Sequence, residues 1–174
     1  MKTVSNHFNS HPHRRSHDAL ALWVYGLWLA LCMALVAPAA SALDEPQVLD
    51  FRLADRTYLA QGQAQVNDLT ERYFGSSLSG QPGIDLPLLQ RLLDEQRVRP
   101  DESEKLQAMG IVMGELLARD IDLRWIRYQD KYGISRALQH RDGRVVFPIT
   151  MIARRYEVGA AVNVQALYER ALDN

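Results

Sequence analysis

Apolar positions follow three rhythms along this chain, and each predicts a different kind of element. From Ala19 to Ala37 they form one uncharged run of nineteen residues. Between Asp55 and Leu117 they recur at steps of three and four, the spacing that lines one face of an α-helix. Between Leu123 and Phe147 they fall in short stretches rich in aromatic and branched residues, separated by turn signals, as strands do.

The helical stretch divides into three. Asp55 caps a helix whose buried stripe is Leu59, Gly62, Val66, Leu69 and Tyr73, with Gly75 as its stop. A loop rich in serine and glycine, 76–83, leads to a second helix capped by Asp85, with Pro87 in its first turn and Leu86, Leu89, Leu92 and Leu93 on one face. Pro100-Asp101 opens the third, whose stripe is Leu106, Met109, Gly110, Met113, Leu116 and Leu117. Ala108, Ile111, Val112 and Ala118 add apolar surface around it, so this helix is predicted to sit at the centre of the fold.

Residues 123–128 and 136–140 then read as strands joined by the turn Asp130-Lys131-Tyr132-Gly133, and the Asp142-Gly143 hairpin signal leads to a third strand at Val145-Val146-Phe147. Pro148 ends that strand and starts a short helix through Tyr156; Asn163 caps a last one carrying Val164, Leu167, Tyr168 and Ala171. The predicted class is therefore α+β: helices, a three-stranded antiparallel meander and two short C-terminal helices in a single domain over 55–174, after an extended lead-in at 43–54.

The first apolar run has a different meaning. Lys2, Arg14 and Arg15 precede it and Ala40-Ser41-Ala42 follows it, the order of basic flank, greasy core and small-residue exit that an export peptidase reads. Residues 1–42 are thus expected to be a signal peptide, with the working protein starting at Leu43 in the periplasm or outside the cell. Nineteen residues would span about 28 Å as a helix, so the alternative is an uncleaved inner-membrane anchor. Cys32 lacks the small neighbour and polar sequel of a lipid-modified cysteine, and Arg14-Arg15 lacks the apolar sequel of a twin-arginine signal.

Removing residues 1–42 changes the inventory. The full chain has 20 basic and 21 acidic residues; the remainder has 17 and 20, a net charge of −3 with signs interspersed, which offers no basis for binding nucleic acid. Cys32 and four of the five histidines leave with the leader, so His140 remains without any thiol. Zinc, copper, haem and iron–sulfur centres need more His or Cys than that, so no metal and no cofactor are expected.

Met113-Gly114-Glu115-Leu116, Leu123-Arg124-Trp125, Tyr128-x-Asp130-x-Tyr132-Gly133 and Phe147-Pro148-Ile149-Thr150-Met151-Ile152-x-Arg154-Arg155, with Glu157, Gly159 and Val164 beyond, form a spaced set of blocks. Over about Asp85 to Leu172 this set resembles a bacterial family known as domain of unknown function 3806. That family usually carries glycine before its tryptophan strand where this chain has Asp122. The resemblance implies one domain and assigns no chemistry.

Glu115 is the only charged residue between Leu106 and Ala118. It reads as a general acid or base, or as a buried carboxylate held by Arg154 or Arg155 in an ion pair that clamps the C-terminal helix. Asp130, beside Trp125, Tyr128 and Tyr132, is a second candidate for catalysis or ligand binding, and also fits a simple turn. His140 near Ser135 and Thr150 lacks the context of a triad, and Asp120, Asp122 and Asp130 lack calcium-loop spacing. Gly110-x-x-x-Gly114 is expected to let another element approach closely.

The leading expectation is a non-enzymatic binding or structural module of the envelope. Its partner would be a protein, peptide or wall component, received on the meander by Arg124, Trp125, Arg127, Tyr128 and Arg136, with the three arginines aligned on one sheet face. The rivals are an envelope hydrolase or lyase using Glu115 or Asp130 with Arg155, and a membrane-tethered structural domain.

Overall fold

The structure, a computed structural model, describes residues 45–173; the predicted leader and the start at Leu43 lie outside the described residues. Strand β1 (Gln47–Leu49) is followed by helices α1 (Leu53–Phe74), α2 (Pro82–Asp94) and α3 (Ser103–Asp120). Strands β2 (Arg124–Asp130), β3 (Gly133–Gln139) and β4 (Val145–Val146) come next, then a 3-10 turn (Pro148–Thr150) and helices α4 (Ala153–Tyr156) and α5 (Val164–Asp173). The class is α+β, as the periodicity predicts, and the described residues form one compact unit.

The sheet has four strands in the order β1-β2-β3-β4, all antiparallel, one more than expected. The extra strand lies in the segment read as a lead-in, where Val48 pairs with Tyr128 and Leu49 with Arg127. Three residues after Pro46 are too few to show an alternating pattern, so only pairing with β2 makes them a strand. The β2–β3 turn is tighter than expected: Asp130 Oδ1 accepts the Tyr132 N–H at 2.8 Å, and β3 starts at Gly133.

Helix α3 forms the centre. Leu106, Met109, Met113, Leu116 and Leu117 are buried as the stripe predicts, and Ala108, Ile111 and Val112 bury the flanks. Its glycines are the points of closest approach: a Cβ on Gly110 would lie 2.6 Å from the Pro148 carbonyl oxygen, and one on Gly114 would lie 2.7 Å from the Trp125 ring. Two backbone carbonyls of the 3-10 turn and one indole therefore rest directly on the helix.

Several ends differ from the sequence reading. Helix α1 starts at Leu53, and Asp55 is its third residue, reaching back to accept the Arg52 N–H at 3.0 Å. Tyr73 is exposed, beneath the Arg97 guanidinium, and Thr70 is buried in its place. Helix α2 starts at Pro82, so Pro87 lies inside it, and the Asp85 carboxylate serves the preceding loop, accepting Ser79 N–H and Gly80 N–H at 2.8 Å each. The helix expected from Pro148 to Tyr156 is interrupted after Thr150. Gly75 (φ 66°) and Asp122 (φ 51°) both end helices in the left-handed region, so Asp122 does what glycine would do more cheaply. Asn163 Oδ1 accepts the Ala166 N–H at 2.8 Å, the cap expected for α5.

Candidate functional site

Trp125 is the residue around which the site is organised. Its ring lies flush against α3 because Gly114 has no side chain, and Phe51, just past β1, stacks with it at 6.1 Å between centroids. The indole N–H donates to Glu115 Oε1 at 2.8 Å. Helix α3, strand β2 and the β1 exit thus converge on one half-buried carboxylate.

That carboxylate borders an open cleft of about 560 Å³ between α1, α3 and the β1–β2 end of the sheet. Leu59, Ala60, Trp125 and Ile126 supply its apolar surface, and Asp50, Arg56, Gln63 and Arg124 join Glu115 as its polar groups. Glu115 and Gln63 also border a second cleft, about 200 Å³, reaching Ser79, Gly80, Asp85 and Arg119. Arg124 in turn borders a third, about 340 Å³, with Asp122, Gln139, His140 and Arg141. The first two clefts share Gln63 and Glu115, and the first and third share only Arg124.

The ion pair expected between Glu115 and Arg154 or Arg155 is not formed. Arg155 Nη1 donates to the Met151 carbonyl at 2.9 Å, Arg154 is exposed, and neither comes within 4.0 Å of the Glu115 carboxylate. The C-terminal helix is tied down by other groups. The Tyr168 hydroxyl donates to Asp120 on α3, Gln90 Oε1 accepts the Val164 N–H at 2.8 Å, and the Tyr156 hydroxyl donates to the Leu93 carbonyl at 3.1 Å. Burial, reinforced by the Asp120 acceptor, pushes the Tyr168 phenol well above its ordinary range.

The expected arginine stripe is not formed either. Trp125 and Arg127 face the helices, one meeting Glu115 and the other Asp55, so strand alternation turns Arg124 to the opposite face. Arg124 donates to Gln139, its partner in register, at 2.9 Å. Arg127 and Arg136 stand directly opposite each other on β2 and β3, and both turn to Asp55, at 3.8 and 2.9 Å. Arg136 also lies over the Tyr58 ring, 4.1 Å from its centroid. This buried cluster is the structural clamp of the domain. Asp55 was legible in the sequence only as a helix cap.

Nor are the residues of an enzymatic reading brought together. Asp130 is occupied by its own turn at the far end of β2 from Trp125, and Tyr128 packs edge-on against Phe147 at 5.4 Å, on the face opposite Trp125. His140 Nδ1 lies 3.0 Å from Asp142 in the hairpin. The Arg144 backbone and side-chain N–H groups lead in holding the Asp142 carboxyl at about 2. Among the described residues no three His, Cys, Asp or Glu side chains gather as a metal-holding group, and no helix is long and apolar enough to cross a membrane.

The site residues that sequence reasoning missed are Phe51, Arg56 and Gln63. Arg56 and Gln63 lie seven residues apart on α1, two helical turns, a spacing that places them on one face with Leu59 and Ala60.

Fold and groove define a small α+β domain with an open surface site. Residues 85–168 match the family model described as a domain of unknown function (DUF3806), so the resemblance read from the motif blocks holds over that stretch. A crystal structure from Bacteroides thetaiotaomicron VPI-5482 is similar to this chain with a TM-score of 0.70 at 19% identity, which establishes likeness of fold. The similarity covers 79% of this chain and 51% of that one, so this chain spans about half the length of that protein. No curated protein matches the chain.

Proposed function

We propose that residues 43–174 form a non-enzymatic binding domain of the envelope, exported by the leader at 1–42, that holds an extended peptide along the groove beneath Trp125. The observation that carries this reading is that two open clefts meet at Gln63 and Glu115. Sites for small molecules enclose most of their ligand, whereas an open run with an apolar floor and both signs of charge along it suits a chain laid lengthwise. Phe51 and Ala60 would take apolar side chains, while Arg56 would meet acidic ones. The binding surface is therefore moved from the meander face, where the arginines do not line up, to the groove.

Selection of binders from a random peptide library tests it. Selected peptides should compete with one another and lose affinity for an Ala60→Trp variant, since Ala60 is exposed on α1 and an indole there fills the cleft without entering the core. Peptides that bind this variant unchanged, or a protein that takes up soluble wall glycan fragments and no peptide, would overturn the proposal. Mass measurement of the exported protein should show Leu43 as its first residue; full-length protein held in the membrane would overturn the export part.

A further inference from the structure

Glu115 is a half-buried carboxylate with one oxygen held by the protein and the other open to solvent. Oε1 accepts the Trp125 indole N–H at 2.8 Å, and Oε2 has no hydrogen-bond partner among the described residues. Three arginines border the same clefts, yet none lies within 4.0 Å of it. Arg124 is directed to Gln139, Arg119 packs against Gly80, and Arg56 stays exposed on α1. Oε2 is not buried, so it stands open to a donor arriving from the cleft.

The geometry keeps this charge in place. Gly114 lets Trp125 lie against the helix, Phe51 backs the ring, and the indole fixes the carboxylate at the junction of two clefts that both share Glu115 and Gln63. Phe51 and Ala60 provide an apolar approach for the methylene stem of a long side chain whose charged head ends at Oε2. Resting on the peptide-groove reading, we infer that Glu115 is the specificity determinant of the site and accepts one cationic side chain, lysine or arginine, of the bound peptide. Trp125 is the positioning residue that holds it.

The Trp125 indole N–H resonance, assigned with a Trp125→Phe variant, reports on the bond to Glu115. Pentapeptides with a central lysine, arginine, norleucine or Nε-acetyl-lysine between glycines, blocked at both ends, serve as probes. Lysine or arginine peptides should shift that resonance saturably, and the two neutral ones should bind at least about tenfold more weakly. Glu115→Gln keeps an acceptor for the indole and should remove the preference while leaving the melting temperature close to that of the parent. If library-selected peptides bind the groove and are blocked by Ala60→Trp, but neutral and cationic probes bind alike or Glu115→Gln retains the preference, this inference fails while the groove reading stands. If cationic probes shift the resonance equally in the Ala60→Trp variant, the cation site survives and the groove reading fails.

Discussion

Replacing Asp55 with alanine removes the one anion that two sheet arginines share. Arg127 and Arg136 are cross-strand neighbours, a like-charge arrangement that is unfavourable by itself, and Asp55 is the group that reconciles them. Side-chain exposure is 8% for Asp55, 13% for Arg127 and 33% for Arg136. Removing one partner of a buried pair costs about 3–5 kcal/mol, chiefly because the remaining charge stays buried without compensation. Arg136 is a third exposed and can recover some hydration, which places the expected loss near the lower end, about 3 kcal/mol, or roughly 10 °C in melting temperature for a domain of this size. The assay is urea denaturation of Asp55→Ala, Arg136→Ala and the double variant, at low and high salt. The double variant should recover part of the loss, with a coupling of about 1 kcal/mol or more. Salt should change it little because the cluster is largely shielded from solvent. A loss below about 1 kcal/mol for Asp55→Ala, or a coupling near zero, would refute the assignment of this cluster as the clamp between α1 and the sheet.

Two further predictions concern the central helix and its C-terminal tie. Gly110→Ala would gain about 1 kcal/mol from propensity on an exposed helix, but here the new methyl would lie 2.6 Å from the Pro148 carbonyl oxygen, so a net loss of about 2 kcal/mol is expected in urea denaturation. A variant more stable than the parent would show that the 3-10 turn yields. The Tyr168 phenol is raised above its ordinary value of 10.0, so its contribution to stability is fully present below that pH and is lost as pH rises through the higher folded value. Ultraviolet titration of the folded protein should therefore show more phenol resisting ionisation in the parent than in Tyr168→Phe; equal resistance in both proteins would contradict the burial argument.

The local elements were largely legible in the amino-acid order. The three long helices, the Asp142-Gly143 hairpin, the left-handed stop at Gly75 and the Asn163 cap all depend on residues within a few positions of one another. The burial of α3 was legible because apolar residues surround most of it, and the role of its glycines followed from their placement on that helix. Asp85 and Asp55 show where this reading stops. Both carry the chemistry of a helix cap, yet one secures the loop before its helix and the other gathers two arginines from the sheet.

Sequence alone thus determined the fold class and the single unusual charge at Glu115, since periodicity and turn chemistry are short-range and additive along the chain. Tertiary structure decided the partners. Asp55 meets Arg136 across 81 positions, the Gln47–Leu49 strand exists only because β2 offers it hydrogen bonds, and Glu115 faces an indole where an arginine was expected. Such pairings are chosen by which elements pack together and how much room glycine leaves between them, and no local pattern of side chains encodes that choice.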